Sequence, residues 1–145
     1  MKLATIDQGG RPAAAIILPD GSAILLERVA AALKGDLPAE ISSAFATGDL
    51  QRVIASEPTT ADITKAIETA MDAGRLVSVT MPASSVHLLA PLPQPAKNIF
   101  CVGRNYLEHI AEGERAQNLK IGVTEHPVFF TKPPTAVVGP GAAVP

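Results

Sequence analysis

His109 and Glu112 stand three residues apart in the stretch CVGRNYLEHIAEGE, residues 101–114. If residues 105–114 are helical, that spacing sets both side chains on one face. A carboxylate beside an imidazole fixes its tautomer and stabilises its cation, so the ring can take and return a proton near neutral pH. The chain has three histidines, one cysteine and one tyrosine, and this stretch holds Cys101, Tyr106 and His109. The His–Glu spacing alone is common on solvated helices. What surrounds it adds weight. Gly103 is suited to a tight turn at the end of an apolar strand, with Arg104 and Asn105 following at the mouth of the helix. Functional groups collect at such corners.

The elements that must position this corner can be read on both sides of it. NIFCVG (98–103) reads as an apolar strand leading into the short helix. The polar loop AQNLKIGVTEHP and the strand VFFTK (128–132) come next, and then the turn-rich PPTAVVGPGAAVP. Upstream, MPASSVHLLAPLPQPAK carries Pro82, Pro91, Pro93 and Pro95 and no helical period, so it is expected to be extended and to pass from one unit to the next. The expected organisation is a small N-terminal α/β domain over residues 1–80, a proline-rich linker over 81–96, and the start of a second domain over 97–145.

The first third reads as strands and short helices. KLATI, a DQGG turn and AAAIILP suggest a hairpin, and DGS a second turn into AILLE. ERVAAALKG reads as a helix closed by Gly35. LPAEISSAFATG has Pro38 suited to a first turn and Gly48 as a stop, and DLQRVIAS would turn Leu50, Val53 and Ile54 to one side. The clearest helix is Thr59 to Gly74, where Ile63, Ala66, Ile67, Ala70 and Met71 make a packing stripe at helical period. Thr59 with Asp62 has the pattern of a capping box, and Gly74 ends the helix.

Composition narrows the function classes. Twelve basic residues against fourteen acidic ones give a net charge of −2, with no basic run and no aromatic-interleaved basic stripe, so no nucleic-acid partner is expected. One cysteine excludes an intramolecular disulfide framework and points to a reducing, cytoplasmic setting. The N-terminus has no apolar signal region, and no apolar run approaches the ~20 residues of a membrane span. At 47% apolar residues and a mean hydropathy of +0.24 a core is affordable, built from Ala, Val, Ile and Leu because aromatics are scarce. GPG at Gly139–Gly141 lacks the GK[ST] ending of a phosphate loop. Cys101 is expected as a buried small hydrophobe, and His87 and His126 as structural or surface residues.

APLPQPAKNIFCVGRNYLEHIAEGE, followed by PVFFTKPPTAVVGPGAAV, resembles the start of the catalytic domain of the fumarylacetoacetate hydrolase superfamily. The shared series is a P-x-P linker, a strand and turn of the form K-I-x-C-V-G-x-N-Y, an H-x-x-E helix, F-x-K-P and V-G-P-G. The opening MKLATI…GRPAAAIILPDG is also similar to the small N-terminal domain of the bacterial members. The resemblance implies an α/β (α+β) fold whose second domain opens the mixed β-roll of the family. It implies a cytoplasmic homodimer acting on a small β-dicarbonyl acid, with Mg²⁺ or Mn²⁺ holding the 2-oxo-carboxylate end of the substrate. His109 and Glu112 match the dyad that activates a water for C–C hydrolysis of acylpyruvates, which releases a pyruvate enolate. Arg104, Asn105, Tyr106 and Lys132 are then substrate-site residues, Lys132 for the anionic part. The same enolate arises in decarboxylation of oxaloacetate-like acids and in enol–keto isomerisation, so these reactions are the alternative.

Two departures qualify the resemblance. The fumarylacetoacetases proper place a metal-binding Asp seven residues before the catalytic His, where this chain has Val102; that favours the shorter bacterial hydrolases and isomerases. The family's Glu-x-Glu and Asp metal ligands lie beyond the G-P-G turn, so the expectation is no metal ligand within residues 1–145, no ion bound by this chain alone and no turnover by it. A non-catalytic N-terminal scaffold is the reading from another class.

Overall fold

A computed structural model describes residues 2–56, 59–120 and 122–144. The chain divides into two compact units, one of residues 1–93 with 137–145 and one of residues 94–136.

The first unit is an antiparallel sheet with helices on one face. Lys2–Asp7 (β1) and Pro12–Ile17 (β2) pair with Lys2 opposite Ile17 and Asp7 opposite Pro12. Their turn takes Gly9 at φ 63° and Gly10 at φ 86°, backbone that fits a two-residue turn to the twist of its strands. Ala23–Leu25 (β3) pairs with β2, and Thr80–Met81 (β4) with β3, for the order β1-β2-β3-β4. At the turn before β3, the Asp20 carboxylate accepts from the Ser22 hydroxyl at 2.6 Å and the Ser22 N–H at 2.9 Å. Those bonds hold its carboxyl below the usual carboxylate range. A two-residue strand is too short to show a period, which is why β4 is not legible in sequence.

Four helices follow the expected segments: Leu26–Ala32 (α1), Ala39–Ala46 (α2), Leu50–Ala55 (α3) and Thr60–Asp72 (α4). Pro38 is the residue before α2 and not part of its first turn. Asp49 caps α3 by accepting the Gln51 N–H at 2.9 Å. In α4, Ile63, Ile67 and Ala70 are buried as the stripe requires. Gly74 N–H donates to the Met71 carbonyl and Arg75 N–H to the Ala70 carbonyl, a Schellman end with Gly74 left-handed. The Asp62 side chain of the expected capping box lies outside the described residues. Ile54 is 55% exposed, so only Leu50 and Val53 of the expected α3 face reach the core.

Both faces of the sheet are covered. Ala14, Ile16 and Ile24 meet Val29, Phe45, Val53, Ile67 and Leu76 on the helical side. Ala13, Ala15, Ala23 and Leu25 gather with Ile6 on the other, under Met81 and Val86. A strand covered on both faces has no polar face to alternate, which explains AAAII and AILL.

The proline-rich segment begins as an edge of this unit. Asp7 N–H donates to the His87 carbonyl, Leu89 N–H to the Thr5 carbonyl, and the Thr5 hydroxyl to the Pro91 carbonyl at 2.6 Å. Ala90 is buried there. Proline is at home on such an edge, where its missing N–H interrupts no ladder. Gly139, in the GPG dismissed as a phosphate loop, packs on the same segment. A Cβ at Gly139 would lie 3.1 Å from the Ala90 nitrogen and 3.4 Å from the Leu89 carbonyl carbon. Gly139→Ala is therefore expected to cost about 1–3 kcal/mol, the range for forced overpacking, and to lower the thermal midpoint. An unchanged midpoint would show that this contact bears no weight.

The second unit is a two-stranded ribbon with one helix. Ile99–Gly103 (β5) pairs antiparallel with Val128–Lys132 (β6), and Leu107–Gln117 (α5) lies between them in sequence. Both strands match the expected segments. The α/β (α+β) class holds, and both described sheets are antiparallel.

Candidate active site

The corner between β5 and α5 is built by a residue the sequence did not single out for that purpose. Gly103 stays in the ladder opposite Val128, and Arg104 takes the left-handed backbone, at φ 55°. This corrects the expectation that Gly103 supplies the turn. Asn105 and Tyr106 come before the helix, with Tyr106 extended as its N-cap (φ −147°, ψ 160°), so α5 begins two residues later than expected. The Tyr106 carbonyl accepts the Ile110 N–H at 3.1 Å and closes the first turn. Ile110 anchors the helix as its buried residue.

His109 and Glu112 lie on α5 with i, i+3 spacing, both exposed. Among the described residues no hydrogen bond or ion pair joins them. The ring beside His109 is Tyr106, with centroids 5.4 Å apart and planes tilted by 41°. Tyr106 is 57% exposed, so it is not the core ring it could have been; it forms a wall against the imidazole. Arg104 and Asn105 are exposed at the same corner. Lys132 is not brought to it along the ribbon. It sits opposite Ile99, four residues from the Gly103–Val128 pair, or about 14 Å at ~3.4 Å per residue.

Pairing decides which ribbon residues share a face. Ile99, Cys101, Val128 and Phe130 fall on one side and Phe100, Val102 and Phe129 on the other. Cys101 is half-buried there, less enclosed than expected. Phe100 is 75% exposed and Phe129 65%. Two strands apolar on both faces have the composition of strands covered on both sides, and two strands alone are marginal in water. The 145-residue chain is accordingly expected to associate with itself through this ribbon at micromolar concentration. Phe100→Lys with Phe129→Lys should bring its light-scattering mass down to 15.0 kDa. A wild-type chain that is already monomeric would remove the idea.

Two cavities lie elsewhere and are lined by none of the corner's residues. One of about 650 Å³ lies open beside α5 along Glu108, Arg115, Asn118 and Lys120. One of about 890 Å³ lies in the first unit between β2 and α4, floored by Ile16, Ile67 and Met71. Among the described residues no three His, Cys, Asp or Glu side chains gather as a metal site. The corner thus offers one base, one carboxylate on the same face, and an unpaired guanidinium, but no ligand set for a divalent ion. None of the helices formed by the described residues is long and apolar enough to cross a membrane.

Residues 98–145 match the family described as Fumarylacetoacetate (FAA) hydrolase C-terminal. Over these residues the chain belongs to the fumarylacetoacetate hydrolase superfamily. Oxaloacetate tautomerase YisK of Bacillus subtilis is 47% identical over 62 residues, 42% of this chain and 19% of that protein. Protein Rv2993c of Mycobacterium tuberculosis is 42% identical over 64 residues, 43% of this chain and 21% of that protein. The mitochondrial oxaloacetate tautomerase Fahd2a of Rattus norvegicus is 36% identical over 77 residues, 50% of this chain and 22% of that protein. The matched part thus spans about a fifth of each of these superfamily relatives.

Proposed function

We propose that the complete protein carrying this chain is an enzyme that interconverts the enol and keto forms of oxaloacetate or a closely similar 2-oxo acid. The observation that supports this reading is the company the chain keeps: relatives 47% and 36% identical bear the name oxaloacetate tautomerase. The corner chemistry suits it. The C3 hydrogens of such an acid lie between two carbonyl carbons and are acidic, so one base can remove one and leave the charge on the C2 oxygen. Return of that proton to the oxygen gives the enol, and the reverse path gives the ketone. His109 is the group for this transfer, with Tyr106 limiting the ring's freedom on one side. Glu112, on the same helical face, supports the protonated ring once substrate draws the side chains together; catalytic bonds that are loose without substrate commonly tighten with it.

C–C hydrolysis of acylpyruvates is the second reading, favoured by the description of the matched family. There His109 would take a proton from water, the water oxygen would add to the acyl carbonyl, and the C–C bond would break to leave a pyruvate enolate. One experiment separates the two. The complete protein is given the enol form of oxaloacetate and, separately, an acylpyruvate. Faster loss of enol absorbance with no release of pyruvate supports tautomerisation. Pyruvate release from the acylpyruvate without that acceleration would replace it with hydrolysis. Among the described residues no group of three His, Cys, Asp or Glu side chains stands ready for Mg²⁺ or Mn²⁺. If the complete protein needs such an ion, chelation should abolish turnover and the ion should restore it.

A further inference from the structure

Helix α4 does not close fully onto the sheet. Between it and β2 lies the cavity of about 890 Å³, lined by residues of the first unit alone. Sites for small molecules span roughly 300–1,000 Å³, mostly apolar with a few polar groups. The floor here is apolar, made by Ile16, Ile67 and Met71. The rim is not. Glu68 and Asp72 border the cavity from α4, four residues apart and so neighbours on one face, where like charges oppose each other. Asp72 is also the last residue of α4, where the helix dipole is negative, and no basic residue stands in that last turn. Among the described residues neither carboxylate joins an ion pair or hydrogen bond. Arg75, three positions after Asp72, is committed elsewhere: it donates to Asp36 and to the Ala32 carbonyl, each at 2.6 Å. Lys2 also lines the cavity, but it stands opposite Ile17, whose side chain packs on the face away from α4. Paired residues share a face, so the Lys2 side chain starts away from the two acids. Folding thus leaves an apolar hollow with two uncompensated carboxylates at its mouth, and the fold gains nothing from the charges.

We propose that this cavity binds a small amphipathic cation, its ammonium group held by Glu68 and Asp72 and its hydrocarbon part resting on Ile16, Ile67 and Met71. Charge complementarity selects the class. An ammonium donates to both carboxylates, removes their mutual repulsion and suits the negative end of the α4 dipole. An anion of the same shape would meet two like charges. The hydrocarbon part gains by leaving water for the apolar floor. The site shares no residue with the corner between β5 and α5, so the inference does not depend on the reaction proposed above.

The test uses the complete protein with isotope-labelled methionine methyl groups, the Met71 resonance being the one lost in Met71→Leu. Hexylammonium, hexanoate and methylammonium are titrated separately at neutral pH. Hexylammonium should shift the Met71 resonance saturably. Hexanoate should bind about tenfold more weakly or worse for its charge, and methylammonium likewise for its missing hydrocarbon. Glu68→Gln with Asp72→Asn should weaken hexylammonium about tenfold or more and leave hexanoate no weaker. The same double variant should keep or raise the thermal midpoint, since it removes a like-charge pair and an acid from a helix C-terminus. No saturable Met71 shift with hexylammonium would overturn the proposal, as would equal binding of hexanoate or an unchanged affinity in the double variant. A lowered midpoint in that variant would make the carboxylates part of the fold and overturn it as well.

Discussion

His109→Ala in the complete protein is expected to slow oxaloacetate enol–keto conversion by about 10²–10⁴-fold, the usual worth of a positioned general base. The loss should sit in kcat, with KM nearly unchanged, because the imidazole is asked to move a proton and not to hold the substrate. His109 is exposed on α5, and replacing an exposed side chain leaves stability within about 0.5 kcal/mol, so the loss cannot be assigned to unfolding. Glu112→Gln should cost less, since it removes support for the ring and not the ring itself. Conversion by His109→Ala within threefold of wild type would take His109 out of the mechanism and leave the i, i+3 pair as an ordinary solvated face.

Phe45→Ala is the largest expected effect on stability. The ring is fully buried, where α2 meets the sheet face of Ile16 and Ile24 beside Val29, Val53 and Ile67. Aromatics are scarce in this chain, and the remaining side chains of that core are aliphatic, too short to reach across the hole that would be left. The expected loss is about 3–5 kcal/mol by urea unfolding, a large share of the ~5–15 kcal/mol that holds a domain folded. Phe45→Leu should recover most of it. A loss below 1 kcal/mol for the alanine variant would mean that the core closes around the gap or that Phe45 lies nearer the surface. The contrast with Phe100 and Phe129 is instructive: the same residue type is enclosed in one unit and bare in the other.

The helix of residues 60–72 was legible in the sequence because its apolar stripe has the period of a helix and a glycine to stop it. The β1–β2 hairpin was legible because DQGG can hardly be anything but a turn. The edge made by residues 87–91 was not, since its hydrogen bonds are to β1, some 80 positions away, and leave no local period. Nor was the turn at 104. Sequence logic gives a left-handed position to the glycine of a pair, and the structure gives it to the arginine.

What the sequence determined by itself is therefore chemical. It set which groups are present, that His109 and Glu112 share one face of a helix, and that β5 and residues 128–130 of β6 are apolar. Spacing and residue type are local properties, and local rules carry them. The tertiary structure decided which residues meet. It laid Tyr106 against His109, left Lys132 at the far end of the ribbon, brought Gly139 onto the backbone of Ala90, and turned the chain at Arg104. The places of Lys132 and Gly139 depend on pairing register and close packing between segments distant in sequence, and no window of neighbouring residues contains that information.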